Sequence, residues 1–442
     1  MSDAKEVGIV LVGCGTVGSA VAACLTGQQR HLEQRTGRRL TLRAIVDVDF
    51  ARARQAGLDE KLFSRDLEGS LARQDASVVV ELVGGTTFAK TVVEKALQAG
   101  KSVVTANKAL LAHHGPELWE LARRQGVCIA FEASCAGAIP IIAALTGELA
   151  CDQVEAIYGI VNGTCNYILT AMTGQDRSYA QALAEAQSRG LAEADPTLDV
   201  SGTDSAHKLA IMAGLAFGAR IDLAKIYVEG IDRLQQQDIR YGRELGYVVK
   251  LLAIARRQED GLSLRVHPAF ISAEHPLAWV SGPFNAVSVY AARSGHTMYY
   301  GRGAGGEPTS AAVIGDIAAV ALGNAGRSFE SLGIWPDRQA KADLLDVSAV
   351  RCRYYLRVQV ADHPGVLAQI AQLLGRRGIS ITSVLQHESG NGQVEGVPVV
   401  ITTHRAVEGD VRSALEEVNR LEAMKAPAVC IRMVDEHPER LA

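Results

Sequence analysis

The sequence lacks the features of a membrane, secreted or nucleic-acid-binding protein. Over 442 residues, no apolar run reaches the length of about 20 residues that a membrane span requires. The first residues, MSDAKEVGIVLVG, carry acids where a signal peptide has a basic segment. Lysine and arginine are scattered and the formal net charge is −4, so no basic stripe favours nucleic acid. We therefore expect a cytoplasmic protein with neither a membrane nor a nucleic-acid partner.

The eight cysteines lack the spacing of a disulfide framework or a metal cluster. They are scattered along the chain, without a CxxC pair or a Cys/His cluster. Disulfide frameworks belong to short secreted chains, so we expect reduced thiols. The residues around them are not typical of a catalytic cysteine, although a nucleophilic cysteine stays open. We therefore do not expect the chemistry to rest on zinc or on a disulfide.

The first 135 residues alternate short apolar runs with helical segments. Helical patterns, such as those at 89–99 and 117–124, fall between these runs. The runs that we expect to form strands are 7–13, 40–46, 78–83, 102–105 and 125–131. Strands that alternate with helices predict a parallel, doubly wound α/β sheet.

The segment GCGTVG at 13–18 joins the first predicted strand to a helix. In a GxGxxG turn the first glycine allows a tight bend, the second admits a pyrophosphate and the third packs helix on strand. Free N–H groups at the helix start then face the phosphates. The pattern favours a Rossmann domain over 1–135 that binds NAD or NADP, although glycine-rich turns also occur without a ligand. The expected contacts are Gly13, Gly15, Thr16, Val17 and Gly18.

The residues after the second predicted strand bear on the choice of cofactor. Asp47 ends that strand and suits a ribose 2′-hydroxyl, whereas Arg52 and Arg54 suit a 2′-phosphate. Solvated turn residues would produce the same pattern. We expect the cofactor to be NAD, or either NAD or NADP, with Asp47 and Arg52 among the cofactor-binding residues.

Two further segments end predicted strands. ELVGGTT at 81–87 brings small residues, including Gly84, to a position where the nicotinamide half of the cofactor could pass. VTANK at 104–108 ends with Lys108. Ligands of open α/β sheets bind at the carboxyl ends of strands, so we expect Gly84 and Lys108 near the cofactor. The alternative for Lys108 is an ordinary surface lysine.

The rest of the chain changes pattern twice, as expected of a chain too long for one core. Residues 136–330 mix alanine-rich helices with grouped strands, which predicts an α+β domain. The expected helices are 179–189, 205–214 and 309–322, and the expected strands 154–161, 262–268 and 286–290. Residues 331–350 have the composition of a linker. The order βαββαβ over 351–442 predicts a ferredoxin-like sandwich.

The stretch 186–208, AQSRGLAEADPTLDVSGTDSAHK, crowds acids around glycine and proline. Lys208 follows Asp204 by four residues, so one helix face carries both. One interpretation is a capped surface helix with a stabilising ion pair. The other is a site where several carboxylates and an ammonium group act together.

This stretch resembles the signature of the homoserine dehydrogenase family. The fixed positions of that signature are Ala186, Gly190, Glu193, Pro196, Asp199, Gly202, Asp204 and Lys208. The segments VVTANKALLA, FEASCAGAIPII, NGTCNYIL and MYYGRGAGGEPTSAAV are also similar to family segments, so the resemblance spans 7–325. DHPGVL in the last predicted domain resembles an ACT regulatory module. A monofunctional member with a carboxyl-terminal ACT domain is therefore expected.

The resemblance implies reversible reduction of L-aspartate 4-semialdehyde to L-homoserine by NAD(P)H, a step towards threonine and methionine. Glu193 and Asp204 would hold the substrate ammonium, and Asp199 would order the loop or assist. Hydride transfer leaves negative charge on the carbonyl oxygen, so a proton donor and a cation lower the barrier. We expect Lys208 to donate the proton with Asp204 orienting it. Lys108 would stabilise charge or act as an alternative relay, so the donor stays open.

The resemblance also implies contacts made by small residues. Gly163 and Thr164 would contact the substrate, and Gly190 and Gly303 the cofactor. NADP-preferring relatives often carry an Arg-Asp pair where this chain has Val48-Asp49. That difference supports NAD or a relaxed preference.

In FEASCAGAIP, the resemblance implies a monovalent cation, usually sodium, with a structural role. The implied ligands are the Glu132 carboxylate and the carbonyls of Cys135, Gly137 and Ile139. The family often has valine where this chain has Cys135, but the ligand there is the carbonyl. Hard oxygen ligands suit such an ion.

The ACT resemblance implies feedback by a pathway amino acid, threonine first. The expected effector residues are Asp362, Gly365, Val366 and Ser380. The family also implies a homodimer or homotetramer, with substrate binding, catalysis and dimerisation in 136–330. A module that only dimerises is the alternative for 351–442.

Two other functions remain to be weighed. Another amino- or oxo-acid dehydrogenase, such as aspartate-semialdehyde dehydrogenase, would need a cysteine that forms a thioester. A non-catalytic sensor would use the Rossmann and ACT parts only to bind ligands. The presence of Lys108, Asp204 and Lys208 argues against the sensor.

Overall fold

The computed structural model describes residues 5–387, 396–435 and 437, which group by contacts into two compact units. The first unit comprises the chain up to Gly163, Asp204–Ala224 and Phe284–Ala342. The second unit comprises Thr164–Thr203, Lys225–Pro283 and the chain from Asp343. Segments of the two units alternate along the sequence. The domain boundaries expected near 135, 330 and 350 stay a prediction.

The amino-terminal part is a Rossmann sheet of six parallel strands. The strands are β1 Lys5–Val12, β2 Arg38–Val46, β3 Phe63–Ser64, β4 Val78–Glu81, β5 Ser102–Thr105 and β6 Ile129–Ala130. The helices are α1 Thr16–Gly27, α2 Gln29–Thr36, α3 Ala51–Gln55, α4 Leu67–Leu71, α5 Thr87–Gln98 and α6 Lys108–Arg124. The strand order β3-β2-β1-β4-β5-β6 confirms the predicted doubly wound sheet.

The sequence of β1 explains its place in the middle of the sheet. Ile9, Val10 and Leu11 are fully buried, as expected of a parallel strand covered on both faces. Val12 pairs with Glu81, and Glu81 pairs with Thr105. The carboxyl ends of β1, β4 and β5 therefore lie side by side, where ligands of open α/β sheets bind.

The middle of the chain contributes elements to both units. The helices are α7 Ile141–Thr146, α8 Gly163–Gln175, α9 Tyr179–Ser188, α10 Thr197–Val200, α11 Thr203–Phe217, α12 Gln236–Glu244, α13 Gly306–Ala321 and α14 Asn324–Leu332. The strands are β7 Val154–Ile160, β8 Tyr227–Val228, β9 Tyr247–Gln258, β10 Gly261–Ser272, β11 Phe284–Ala291 and β12 Gly295–Arg302. In the first unit β7, β11 and β12 pair antiparallel. In the second, β9 and β10 form a long hairpin.

The carboxyl-terminal part has the predicted βαββαβ order, with one small strand added. Its elements are β13 Arg351–Val360, α15 Val366–Arg376, β14 Ile381–Gln386, β15 Val397–Thr403, β16 Ala406–Val407, α16 Glu408–Val418 and β17 Met424–Met433. The strand order is β17-β13-β15-β14. Within the second unit β17 also pairs in parallel with β10, so the ACT-like sheet continues the β9–β10 hairpin.

Several predicted elements were wrong in extent. Helix α6 begins at Lys108 rather than near 117, because the Asn107 side chain caps it by accepting the N–H of Leu110 at 3.0 Å. The strand expected over 125–131 is only Ile129–Ala130. Helix α8 and strands β9 and β12 were not predicted.

Among the described residues, no one helix has both the length and the apolar composition needed to cross a membrane. Helix α13 and the segment Asn324–Arg338 reach that length and composition only when taken together, and the pair is bent by 74°. Helix α13 packs into the Rossmann core, where Val313 and Ile317 are fully buried.

Candidate active site

The glycine-rich turn meets the three demands of its motif. Gly13 has φ +94°, and a Cβ there would lie 2.7 Å from the backbone of Leu82. A Cβ at Gly18 would collide with the carbonyl oxygen of Gly13, so only glycine lets α1 pack this closely. A Cβ at Gly15 would meet no heavy atom within 4 Å. That open side is where a phosphate could approach the start of α1.

Asp47 braces this turn from the end of β2. One carboxylate oxygen accepts the N–H of Cys14 at 2.5 Å, and the other accepts the N–H groups of Val48 and Asp49 at 2.6 and 3.1 Å. Arg52 is exposed on α3. Burial and the charge of Asp47 raise the pKa of the Cys14 thiol to about 11.

Helix α13, which was expected at 309–322, begins beside the turn; the resemblance placed Gly303 at the cofactor, but the closeness of the two helix starts was not predicted. A Cβ at Gly306, the first residue of α13, would lie 3.1 Å from the carbonyl oxygen of Thr16. A Cβ at Gly303 would collide with the Asn285 side chain. The amino termini of α1 and α13 thus lie close together, and both favour a negatively charged ligand. The GRGAGG segment is the signal that could have indicated this.

Buried polar residues tie the ends of β4 and β5 together. Glu81 is fully buried and accepts the N–H of Val83 at 2.9 Å and the hydroxyl of Thr105 at 2.6 Å. Burial raises the pKa of Glu81. The Asn107 amide donates to the carbonyl of Gly85 at 2.7 Å while its oxygen caps α6. These bonds hold the exposed Gly84 turn beside Lys108.

Asp204 joins the two predicted lysines. Its Oδ1 lies 2.9 Å from Nζ of Lys108, and its Oδ2 lies 2.7 Å from Nζ of Lys208. Lys208 also donates to the carbonyl of Val161 at 2.7 Å, and the amide of Asn162 donates to Asp204 at 2.9 Å. Asp204 is only 3% exposed and Lys208 8%. The structure therefore brings Lys108, Asp204 and Lys208 into one cluster.

The charge balance of this cluster is visible in the pKa of Asp204. Burial alone would raise the pKa of the carboxyl, but the ammonium groups of Lys208 and Lys108 hold it well below its usual range. Asp204 is therefore ionised at neutral pH. Burial and the nearby His113 lower the pKa of the adjacent His207.

The remaining predicted substrate residues lie around the start of α8 and on the loop before α11. Gly163 begins α8 in the first unit. In the second unit, the hydroxyl of Thr164 donates to the carbonyl of Leu191 at 2.7 Å. Gly190, which was expected to contact the cofactor, has φ +70°, and the predicted substrate residue Glu193 is exposed. The carbonyl of Asp199 accepts a hydrogen bond from the thiol of Cys165 at 3.2 Å, and the Asp199 side chain is half-buried.

The predicted cation segment has oxygen donors on an unusual backbone. Ala136 and Gly137 have φ +55° and +58°, and the Ala136 value is uncommon for a residue with a Cβ. The oxygens of Glu132 accept the N–H groups of Ile142 and Ala143 at the start of α7, at 2.8 and 2.7 Å. Carboxylate oxygens keep further lone pairs for a cation. The donor chemistry therefore fits a hard monovalent ion.

The carboxylate of Asp316 lies beside Glu132, which the sequence did not predict. Its Oδ2 accepts the backbone N–H of Glu132 at 2.8 Å. Burial and the charge of Glu132 raise the pKa of Asp316 to about 8. Burial likewise raises the pKa of the Cys135 thiol to about 12, so this thiol is not a nucleophile at neutral pH.

Three of the predicted effector residues lie at the start of α15, and the fourth, Ser380, lies directly before β14. Gly365 caps that helix with φ +93°, and Val366 is buried below it. Asp362 is exposed on the preceding turn. The carbonyl of Ser380 accepts the N–H of His404 at 2.8 Å.

Family models match three parts of the chain. The NAD-binding domain of homoserine dehydrogenase matches residues 13–132, homoserine dehydrogenase matches 140–318, and the ACT domain matches 354–423. A curated homoserine dehydrogenase of Neisseria gonorrhoeae is 42% identical over 436 residues, which cover 98% of this chain and 100% of that protein. The chain belongs to the homoserine dehydrogenase family. Its members are NAD(P)-dependent oxidoreductases acting on a CH–OH group.

Further relatives from the same family match most or nearly all of the chain. The homoserine dehydrogenase of Pseudomonas aeruginosa is 41% identical, covering 97% of this chain and 99% of that protein. A crystal structure of a homoserine dehydrogenase from Thiobacillus denitrificans has a TM-score of 0.91 and 38% identity, covering 98% of this chain and 99% of that one. A hyperthermophilic archaeal homoserine dehydrogenase in complex with NADPH has a TM-score of 0.61 and 26% identity, covering 72% of this chain and 98% of that one.

Proposed function

We propose that the chain catalyses the reversible reduction of L-aspartate 4-semialdehyde to L-homoserine with a nicotinamide cofactor. The observation that carries this proposal is the buried cluster in which Asp204 contacts both Lys108 and Lys208. Lys108 follows β5 at the ligand-binding edge of the Rossmann sheet. When bound, NAD(P)H supplies the hydride, and the chain supplies binding, orientation and a proton.

Lys208 is the proposed proton donor. Its ammonium group has three N–H bonds, of which one donates to Asp204 and one to the carbonyl of Val161. The third can donate to the substrate carbonyl oxygen as negative charge develops there. Asp204 orients Lys208 and balances its charge. Lys108, which is 33% exposed in its side chain, stabilises the oxygen or relays the proton.

Glu193 and Asp199 are proposed to bind the substrate on the stretch that leads directly into α11. Glu193 and Asp204 attract its ammonium group, and Asp199 orders the loop. Gly163 and Thr164 complete this set, although the Thr164 hydroxyl already donates to the carbonyl of Leu191. We assign these roles from the family signature, in which Glu193 and Asp199 precede Asp204 along the chain.

For the cofactor we propose NAD, or NAD and NADP together. Gly13, Gly15 and Gly18 support the turn that approaches the pyrophosphate, with Thr16 and Val17 at the start of α1. Asp47 directly follows β2, where a ribose hydroxyl would lie, and three N–H groups already bond to its carboxylate. The archaeal relative that binds NADPH supports a nicotinamide cofactor in general. The other proposed contacts are Arg52, Gly84, Lys108, Gly190 and Gly303.

A monovalent cation is proposed to stabilise the segment from Glu132 to Ile139. Its ligands would be the Glu132 carboxylate and the carbonyls of Cys135, Gly137 and Ile139. The positive φ angle of Ala136 supports this proposal, because strained backbone at a residue with a Cβ persists where surrounding contacts or a ligand hold it. The ion would have a structural role.

The ACT-like part is proposed to bind threonine and to regulate activity. Asp362, Gly365 and Val366 lie at the start of α15 and Ser380 lies before β14; all but Val366 are exposed. We also propose a homodimer or homotetramer in the cytoplasm, as in the family. A threonine titration that changes neither activity nor melting temperature would reject the regulatory part.

Loss of the Lys208 ammonium tests the central proposal. NADH or NADPH absorbance is followed with aspartate semialdehyde for wild type, Lys208→Ala and Lys208→Arg. We expect Lys208→Ala to lower kcat by about 100-fold or more, since general acid catalysis contributes about that much. Lys208→Arg keeps the charge but cannot give up its proton, so it should not restore kcat. An unchanged kcat in Lys208→Ala would remove Lys208 from its role.

A further inference from the structure

A cavity lies between helices α6 and α11 in the first unit. Its volume is about 560 Å³, within the range of small-molecule sites. Lys108, Asp204 and Lys208 do not line it, so it is separate from the buried cluster. The indole N–H of Trp119, in its wall, is buried without a hydrogen-bond partner in the described residues. The apolar lining includes Leu111, Trp119, Ile211, Leu215, Ile221 and Pro336.

One side of this cavity carries an excess of positive charge. Arg220 and Lys341 face each other across a short parallel bridge, in which the N–H of Arg220 donates to the carbonyl of Ala340 at 2.8 Å. Nζ of Lys341 pairs with Asp222 at 3.0 Å. The guanidinium of Arg220 has no ion pair within the described residues. Arg220, Asp222 and Lys341 all line the cavity and together leave one net positive charge.

We infer that this cavity binds a small carboxylate with an apolar body. The carboxylate would accept two parallel hydrogen bonds from Arg220, the geometry that guanidinium groups favour. The body would fill the space lined by Leu111, Ile211 and Leu215. The ammonium group of Lys341 would also attract the carboxylate, but its charge is already balanced by Asp222.

Such a ligand contacts the two helices that carry the reactive lysines. Helix α6 begins with Lys108, and α11 carries Asp204 and Lys208 near its start. A molecule packed between the helices would favour one spacing of Lys108 and Asp204. We therefore expect occupancy to change kcat, and this consequence alone rests on the proposed function.

The test compares 4-methylpentanoate with 4-methylpentan-1-ol, which has the same body without the charge. Isothermal titration calorimetry and tryptophan fluorescence are measured on the full chain. We expect saturable binding of the carboxylate, weakened about ten-fold in Arg220→Gln, since a charged hydrogen bond contributes about 1.5 kcal/mol. Lys225→Gln makes the same charge change on an exposed residue outside the cavity and should leave binding unchanged. Ala224→Phe, at an exposed lining position, should obstruct binding without a folding cost.

Each outcome decides the inference. No saturable binding of the carboxylate overturns it, as does equal binding by wild type and Arg220→Gln. Equal binding of the alcohol overturns the choice of an anionic ligand. If the carboxylate binds as expected while the chain shows no dehydrogenase activity, the cavity inference holds and the proposed function fails.

Discussion

At the scale of single residues, Asp204 determines the charge of the reactive cluster. It is the one carboxylate in contact with both Nζ atoms in the part of the chain described, and its amide partner Asn162 fixes its orientation. Its lowered pKa means that it stays ionised over the whole range of a practical assay. The lysines therefore never lose their counter-charge through titration of Asp204, and only a substitution can remove it.

Asp204→Asn should lower kcat by about 100-fold, comparable to removing a group that acts on the transition state. Without the carboxylate, two ammonium groups repel each other at close range, so the pH at which reduction declines should move to lower values. The measurement is kcat between pH 6 and 10. Asp195→Asn removes an exposed carboxylate from the same stretch and serves as the matched control. An unaltered pH profile in Asp204→Asn would contradict the assigned charge balance.

Lys250 on β9 is a buried ammonium outside the reactive cluster. It is 3% exposed and donates to the carbonyl of Val280 at 2.5 Å and to the amide oxygen of Asn166 at 3.3 Å. None of the described carboxylates forms an ion pair with it, and burial lowers its pKa to about 8. Between pH 8 and the ordinary lysine value the unfolded chain binds more protons than the folded one. The free energy of unfolding therefore rises with pH across that window.

Lys250→Met should remove this rise. The predicted contribution is about 3 kcal/mol between pH 8 and 10.5, at about 1.4 kcal/mol per pKa unit. Urea unfolding at several pH values measures it as the difference between wild type and variant. Lys61→Met, at an exposed lysine, should show no such pH-dependent difference. A constant difference for Lys250→Met across the window would mean that Lys250 keeps its proton in the folded chain.

At the scale of elements, the short-range patterns were predictable and the long-range ones were not. The GxGxxG spacing encodes local backbone requirements: Gly13 has a positive φ angle, and Gly18 lies against the carbonyl oxygen of Gly13. Asp204 and Lys208 lie one helical turn apart, so their pairing also follows from local spacing. The contact of Lys108 with Asp204 joins residues far apart in the sequence, and only the family resemblance indicated a shared role for them. Single polar residues at the ends of apolar strands, such as Glu81, have no periodic pattern to reveal them.

The missed strands have a similar explanation. In β9, YVVKLLAIARRQ is a nearly continuous apolar run, which fits a buried strand or a buried helix equally well. In β12, GHTMYYGR does not alternate between apolar and polar residues. Pairing with β10 and β11, respectively, decides both cases, and pairing depends on the tertiary fold.

The amino-terminal cap of α6 links an element to the chemistry. The Asn107 side chain accepts the N–H of Leu110 and donates to the carbonyl of Gly85, directly before Lys108. Asn107→Ala should cost about 1 kcal/mol of stability through the lost cap. It should also lower kcat, because Lys108 is the first residue of that helix. Thermal unfolding and steady-state kinetics measure the two effects.

Asp66→Ala is the control for Asn107→Ala, since Asp66 caps α4 in the same way, with Gly69 as donor at 2.9 Å. It should lower the melting temperature without changing kcat. Equal kinetic effects in the two variants would show that loss of a cap acts through general stability alone.

At the scale of the whole molecule, the ACT-like part is built into the second unit. Strand β17 pairs with both β13 and β10, so one sheet connects the ACT-like strands with the β9–β10 hairpin. Arg357 on β13 forms a two-pronged ion pair with Asp238 on α12, at 2.6 and 3.0 Å. The hydroxyl of Tyr355 donates to Asp238 at 2.9 Å. An effector bound near α15 would act on the β9–β10 hairpin through these direct contacts.

Arg357→Met tests how firmly this connection holds the second unit together. Both partners are at most 7% exposed, so the variant leaves Asp238 buried without its counter-charge. We expect a loss of about 3 kcal/mol or more in thermal or urea unfolding, and a weaker threonine response. The double variant Arg357→Met, Asp238→Leu should regain most of the stability, because no buried charge remains, but not the threonine response.

Arg405→Met is the control: it breaks an exposed pair with Asp435 and should change stability by less than about 1 kcal/mol. If Arg357→Met is no more destabilising than Arg405→Met, the ion pair does not secure the ACT-like part.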